Sequence, residues 1–184
     1  MAHFRLVIVC TVLALMGCSD RAQNAGPGTA YKPRVPQKIT KPTVSDLARL
    51  AEQEASVIRL LNARHPEAKL NHDEGDLRWL QRLVDEKAVG PAQTYELQCL
   101  GAALGQVFAT KTPLTWVVVE DESGRDFALQ YPGTSVIVFP LTMISKRLED
   151  GRDVDLIPLY RTIVAQVEKI KDDPEYKRGS QEQK

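Results

Sequence analysis

The chain has 184 residues, of which 43% are hydrophobic and 26% are charged, a balance typical of a globular domain and not of a disordered or fibrous chain. Lysine and arginine together number 24, as do aspartate and glutamate. This equality excludes the broad positive field by which proteins attract nucleic acid. We therefore predict one folded domain and no nucleic-acid partner.

The chain begins with a short apolar run that ends at a cysteine. Arg5 supplies a positive charge and residues 6–16 are apolar, a stretch shorter than the roughly 20 residues that span a bilayer but typical of a signal peptide. The ending Leu15-Met16-Gly17-Cys18 resembles the lipobox of bacterial lipoproteins. The resemblance implies removal of residues 1–17 and lipidation of Cys18, which would attach the protein to a membrane. The alternative is an ordinary secretory signal with a chance cysteine.

The residue after Cys18 bears on which membrane would hold the protein. In many Gram-negative lipoproteins an aspartate at this position favours retention in the inner membrane, and here the residue is Ser19. The resemblance thus implies a cell-envelope protein, lipid-anchored and facing the periplasm, with the outer membrane favoured over the inner. Asp20, one residue later, leaves that choice open.

Residues 18–42 form the predicted lipidated cysteine and tether. Residues 19–42 contain four prolines, few large apolar groups and a net charge of +4, a composition that does not build a core. Because Cys10 lies in the signal and Cys18 would be lipidated, Cys99 would be the one free thiol, so no internal disulfide is expected. We predict that Cys99 is a small buried hydrophobe in a helix and not a nucleophile.

Three amphipathic helices are predicted next, over residues 45–63, over about 73–88 and from Pro91 onward. Gly101 and Gly105 in the third helix each cost it about 1 kcal/mol relative to alanine. We expect close packing against another element there, with a ligand at the backbone as the alternative. The inward-facing residues are predicted as Leu47, Leu50, Ala51, Ile58 and Leu61, then Leu77, Leu80, Leu83 and Val84 with Trp79 at the edge of the same face, then Leu97, Leu100, Gly101, Leu104, Val107 and Phe108.

The period of the apolar residues then changes from 3.6 to 2, which predicts strands over 114–122, 125–131 and 135–139. A short helix follows Pro140, a last helix begins at Asp155, and residues 172–184 form a polar tail. Because helices and strands are segregated along the chain, the predicted class is α+β. The prediction is three N-terminal helices, a three-stranded antiparallel meander and two C-terminal helices within a single domain over residues 43–171.

Two segments of this domain, residues 115–129 and 138–151, resemble the signature of a bacterial family known as a domain of unknown function. The likeness extends over roughly residues 91–165 and includes the Leu-Gly-x-x-Leu-Gly helix. It implies a domain type and supplies no activity, so no catalytic residue is carried over. The positions that carry the signature are Trp116, Asp121, Gly124, Asp126, Phe139, Pro140, Ile144, Lys146, Arg147 and Glu149.

The charged residues of these segments are candidate interaction sites. Glu120, Asp121 and Asp126 would crowd one hairpin, where they could serve as an acid/base pair or simply as solvated charges. Successive strand residues face opposite sides, which favours the second interpretation. Lys146, Arg147 and Glu149 lie on the short helix, and Arg147 could reach Asp126 or Glu120 and clamp helix to sheet.

No metal or cofactor is predicted. His65 and His72 flank the loop between the first two helices, but they lack the further ligands of a zinc site. Because no catalytic motif appears, we predict a non-catalytic domain that binds a protein or an envelope component, with an unidentified protein as the partner. Two alternatives stay open: an immunity-type inhibitor of a periplasmic toxin, and a carboxylate-based enzyme that modifies wall or lipid.

Overall fold

Helices and strands occupy separate stretches of the chain in the computed structural model, which describes residues 37–122 and 124–178. The predicted α+β class is confirmed, but the predicted counts of three strands and five helices are wrong, because the described residues form four strands and six helices. In chain order these are β1 (Lys38–Thr40), α1 (Val44–Arg64), α2 (Asp76–Asp85), α3 (Thr94–Lys111), β2 (Thr115–Asp121), β3 (Gly124–Gln130), β4 (Ile137–Val138), α4 (Leu141–Glu149), α5 (Leu156–Ile170) and α6 (Pro174–Arg178).

The additional strand is β1, which lies in the stretch that the sequence assigned to the tether. It pairs antiparallel with β2, with Lys38 opposite Glu120 and Thr40 opposite Val118. A three-residue strand has little propensity of its own and is stabilised by the partner strand and by the side chains beside it. The sheet order is β1-β2-β3-β4 with every pair antiparallel. The predicted signal peptide and residues 18–36 of the predicted tether lie outside the described residues.

The sheet has apolar side chains on both faces. Residues that face each other across β2 and β3 share a face, so Val118 and Phe127 lie on one side and Val117 and Ala128 on the other. The first face packs against the helices, in a cluster with Leu50, Ala102 and Leu141. The second face has its own cluster, whose described members are Val117, Val119, Ala128 and Ile137 with the partly buried Ile39 and Phe139.

Helix α3 lies at the centre of the fold, and ten of its residues are buried. A Cβ atom on Gly101 would lie 2.6 Å from the backbone of Leu141 and from the Pro140 carbonyl oxygen, and one on Gly105 would meet the Trp116 ring. The expected close packing at both glycines is therefore confirmed. The start of α4 and the side chain of Trp116 occupy the space that larger residues would need.

The predicted buried face of α1 is wrong in part. Leu47 and Ile58 are 50% and 38% exposed, whereas Val57 joins Leu50 and Leu61 in the core. The helix also buries Asp46, Gln53 and Glu54, which sequence periodicity would place outside. Two of these polar residues have side-chain partners, since Asp46 forms an ion pair with Arg125 and Glu54 shares a hydrogen bond with His72. These contacts fix the rotation of α1, and they leave part of its apolar surface in solvent.

Helix α6 lies in the stretch that the sequence assigned to a polar tail. The backbone N–H and the hydroxyl of Ser135 both donate to the Tyr176 carbonyl oxygen, at 3.0 and 3.2 Å. Tyr176 also packs against the main core. Residues 174–178 are therefore ordered by tertiary contacts with the β3–β4 connection and not by their own helix propensity.

We expect Gly101→Ala to lower the free energy of unfolding by about 1–3 kcal/mol, because the added methyl group collides with the backbone at the start of α4. Alanine is the better helix former by about 1 kcal/mol, so a net loss can come only from the close contact. Chemical denaturation measures the change, and Thr110→Ala at an exposed position of the same helix is the control. An equal or higher stability of Gly101→Ala would contradict this packing.

Candidate functional site

The acids of the β2–β3 hairpin are divided between the two faces of the sheet. Glu120 lies opposite Arg125, whereas Asp126 lies opposite Val119 and shares the other face with Asp121. The Oδ1 atom of Asp126 accepts the Phe127 N–H at 2.9 Å. Burial raises the pKa of Asp126, and the Phe127 N–H and the charge of Lys146 act in the opposite direction. The structure thus places Asp121 and Asp126 on one face and separates Glu120 from them.

Two charged residues of α4, Arg147 and Glu149, make contacts within the helical part of the fold. Arg147 donates from Nη1 to the Met143 carbonyl oxygen at 2.5 Å, and its predicted clamp to Asp126 or Glu120 stays a prediction. Glu149 accepts a hydrogen bond from the Thr94 hydroxyl at 2.7 Å, which ties α4 to the start of α3. Lys146 is exposed. A functional role for these residues stays a prediction.

An ion pair between helix and sheet joins Asp46 of α1 to Arg125 of β3. Arg125 Nη2 lies 2.7 Å from Asp46 Oδ2, and the same carboxylate accepts the Thr43 N–H at 2.8 Å in a capping box. The Arg125 hydrogen bond, followed by that of Thr43, lowers the pKa of Asp46 to about 2. Sequence analysis missed this pair, although Thr43-x-x-Asp46 before an apolar run is a known helix-start signal.

A cavity of about 380 Å³ lies between the α1–α2 loop and α2. Its shape is set by Asp76, which is 2% exposed and accepts the backbone N–H groups of Asn71 and His72 at 2.9 and 2.8 Å. His72 has a positive φ of 57°, a conformation that few non-glycine residues adopt. The buried carboxylate therefore folds the loop over the start of α2. The side chains that give the cavity its character are Lys69, Asn71, Asp73, Arg78, Trp79 and Arg82.

Trp79 forms a fixed wall of this cavity. Its ring lies against His65, with ring centres 5.9 Å apart, and His65 Nε2 lies 3.0 Å from Glu86 Oε2. The other oxygen of Glu86 accepts a hydrogen bond from Arg82 Nε at 2.9 Å. Arg82 and then His65 lower the pKa of Glu86. Trp79 thus packs against His65 and the main core and also contributes to the lining of the cavity.

Around Trp79 the acidic side chains accept hydrogen bonds from the backbone, whereas two of the cations have no ion-pair partner among the described residues. Lys69 and Arg78 are exposed and form no ion pair with any described residue, whereas one oxygen of Asp73 accepts the Gly75 N–H at 2.7 Å. Asp76 already accepts backbone hydrogen bonds. The cavity thus offers an aromatic surface, unpaired cationic donors and an amide, and its lining contains no hydroxyl or thiol nucleophile. Such a site is suited to binding and orienting a ligand.

Sequence analysis missed this cavity, since it assigned Trp79 to the edge of a buried helix face. The sequence feature that could have indicated the cavity is the group Arg78, Trp79 and Arg82 on one helix, preceded by a loop with Lys69 and Asn71. His65 and His72, considered above as metal ligands, contact two different glutamates, Glu86 and Glu54. Among the residues that the structure describes, no group of three or more His, Cys, Asp or Glu side chains is placed to hold a metal ion.

Comparison with known proteins identifies a domain type. The sequence profile of a family described as "Domain of unknown function (DUF3806)" matches residues 76–160, so this part of the chain contains a domain of unknown function. The matched range begins at Asp76 and includes Arg78, Trp79 and Arg82, but not Lys69 or Asn71. No curated protein matches the chain.

One solved structure shares the fold. It is the crystal structure of a protein from Bacteroides thetaiotaomicron VPI-5482, with a TM-score of 0.65 and 15% sequence identity over 74% of this chain and 51% of that one. The present chain thus spans about half the length of that protein. At this identity the likeness concerns the fold alone. Within the described ranges, none of the helices combines the length and the apolar character that crossing a membrane requires.

The lowered pKa of Asp46 predicts a stability that depends on acidic pH. Because the folded-state pKa lies below the ordinary value of 3.8, the carboxylate stabilises the fold above about pH 4 and loses that contribution as the pH falls toward 2. We expect Asp46→Asn to be less stable than the parent protein at pH 6 and the difference to shrink by pH 2.5, as measured by urea denaturation at both pH values.

Asp150→Asn is the matched control, since Asp150 pairs with the nearby Arg152 at an exposed position and should change stability little. A difference between the parent protein and Asp46→Asn that is the same at pH 6 and pH 2.5 would contradict the assigned role of Asp46.

Proposed function

We propose that this protein is a lipid-anchored envelope protein whose domain binds an acidic saccharide and catalyses no reaction. The observation that carries the proposal is the cavity in which a fixed Trp79 ring lies beside the unpaired cations of Lys69 and Arg78. The anchoring rests on Leu15-Met16-Gly17-Cys18, which lies outside the described residues. A protein partner stays a prediction.

The class of ligand follows from the chemistry of the cavity. An aromatic ring offers an apolar surface to the C–H face of a sugar ring, and the side chains of Asn71 and Asp73 can exchange hydrogen bonds with hydroxyl groups. Lys69 and Arg78 add positive donors without carboxylate partners, which favours a ligand with carboxylates of its own. A volume of about 380 Å³ is within the range of small-ligand sites.

The alternative functions receive less support. A carboxylate-based enzyme would need acids that converge on one point, and the hairpin leaves only Asp121 and Asp126 on one face, with Glu120 on the other. An immunity-type inhibitor would need a protein surface that meets a toxin, and no specific contact among the described residues favours one. Binding of an acidic saccharide is the function that the described geometry supports best.

We expect the full chain to bind trigalacturonate more tightly than the same trisaccharide with its carboxylates reduced to alcohols, as measured by isothermal titration calorimetry. Replacing both cations, Lys69→Gln with Arg78→Gln, should weaken trigalacturonate binding at least tenfold, the loss expected from about 1.4 kcal/mol. The neutral trisaccharide should be nearly unaffected by this change.

Arg152→Gln removes an exposed arginine outside the cavity and is the matched control for lost positive charge. Trp79→Ala should weaken both ligands if circular dichroism shows an intact fold. Equal affinity for the acidic and the reduced trisaccharide, or equal losses in the double variant and in Arg152→Gln, would refute the proposal.

The anchor is tested by metabolic labelling with a fatty acid in a Gram-negative host. Cys18→Ala should abolish the label and leave an unprocessed precursor, because the cysteine sulfur and its new amine would carry the acyl chains. Cys10→Ala removes a cysteine within the same N-terminal segment and should be labelled like the parent protein. Retention of the label in Cys18→Ala would contradict the anchor.

A further inference from the structure

A second cavity, of about 300 Å³, lies between α1, α3 and the loop that joins α2 to α3. It shares no lining residue with the cavity at Trp79. Its floor is apolar, since Val57 and Leu100 are 2% and 1% exposed. Leu60, Ala88 and Val89 complete the walls. This volume is near the lower end of the range for small-molecule sites.

The thiol that lines this cavity lies at its floor and is buried. The Cys99 side chain is 2% exposed. Burial raises the pKa of Cys99, and the nearby Tyr95 hydroxyl acts in the opposite direction. The thiol is therefore neutral at neutral pH and behaves as part of the apolar floor. Tyr95 itself is 49% exposed, so its ring lies at the mouth and does not fill the space beneath.

The mouth of the cavity is negatively charged. Glu96 is exposed, contributes to the lining and forms no ion pair with any described residue. The lining contains no lysine or arginine. The nearby Arg59 donates to Glu52 at 2.7 Å and to Ser56 at 2.8 Å, so its charge is engaged elsewhere. An apolar interior with a single unpaired carboxylate at the entrance complements a ligand with an apolar body and one positive group.

We infer that this cavity binds a small hydrophobic cation, whose aliphatic part lies against Val57 and Leu100 and whose ammonium group lies at Glu96. Carboxylates of the same size are disfavoured by Glu96, and larger apolar molecules are excluded by the volume. This site is independent of the saccharide site, because the two cavities have different walls and opposite unpaired charges.

The probes are n-alkylammonium ions from butyl to decyl, with 1-hexanol and hexanoate as neutral and anionic counterparts of the hexyl compound. Isothermal titration calorimetry on the full chain should show that hexylammonium binds most tightly, hexanol less tightly and hexanoate least tightly. Each added methylene group should tighten binding by up to about fourfold, until the chain fills the cavity and the gain stops. Equal affinity for hexylammonium and hexanoate, or no dependence on chain length, would overturn the inference.

Two variants locate the site. Glu96→Gln should remove the preference for hexylammonium over hexanol, whereas Glu175→Gln, an exposed acid on α6, should leave it intact. Ala88→Leu should fill part of the cavity, so that affinity should stop increasing at a shorter alkyl chain than in the parent protein. Unchanged chain-length and charge preferences in Glu96→Gln and Ala88→Leu would overturn the assignment to this cavity.

A readout independent of affinity is the alkylation of Cys99 by iodoacetamide. In the full chain with Cys10→Ser and Cys18→Ser, Cys99 is the remaining cysteine, and saturating decylammonium should slow its alkylation because the ligand covers the floor. The Trp79→Ala variant should show the same protection. An alkylation rate unchanged by decylammonium would overturn the inference, whatever the outcome at the saccharide site.

Discussion

The contact between α3 and the start of α4 is the constraint on which the rest of the structure depends. At Gly101 the helix backbone touches the backbone of Pro140 and Leu141, and at Gly105 it touches the Trp116 ring. Any side chain at these positions would push α4 and the sheet away from α3. Because α3 also packs against α1 and α2, its place at the centre determines where those two helices lie. Both cavities are formed by α1, α2, α3 and the segments that join them, so their geometry follows from this packing.

Polar contacts fix the parts of the fold that the central packing does not reach. Arg125 joins the β2–β3 hairpin to the start of α1 through Asp46, and Gln81 of α2 accepts the Leu156 N–H at the start of α5 at 2.7 Å. The Asp76 carboxylate holds the loop over α2. Each contact satisfies buried or half-buried polar groups that would otherwise be costly. Lys69, Arg78 and Glu96 form no ion pair with a described residue, and they are the charges on which the two proposed binding preferences rest.

Elements with strong local patterns could be predicted from the sequence, and elements that depend on distant partners could not. The apolar period of α3 and the β-branched run of β2 indicated both elements, and the glycines of α3 correctly indicated close packing. The face of α1 was mispredicted because apolar residues occur on both sides of it, and the inward side is selected by Glu54 and Asp46. The short strand β1 is stabilised by its pairing with β2, and the short helix α6 is stabilised by its hydrogen bond with Ser135. Neither partner is visible in the local sequence pattern.

The candidate site could be predicted least. The residues at the Trp79 cavity are ordinary in sequence, and their convergence arises because Asp76 accepts hydrogen bonds from two backbone N–H groups of the preceding loop. The charged residues that sequence analysis singled out, such as Glu120 and Asp126, stand out in sequence but lie on opposite faces of the sheet. Charged residues that are close in sequence therefore do not by themselves locate a site. The candidate site depends on the loop conformation that the buried Asp76 carboxylate holds.

The central claim is that the Trp79 cavity is the binding site of this domain. Two-dimensional ¹H–¹⁵N NMR of the full chain during titration with trigalacturonate tests it most directly. We expect the chemical shift changes to be concentrated at the Trp79 indole N–H and at the backbone amides of residues 69–82, and we expect no change at the amides of residues 120–126. Shifts confined to residues 120–126, or no shifts at saturating trisaccharide, would contradict it.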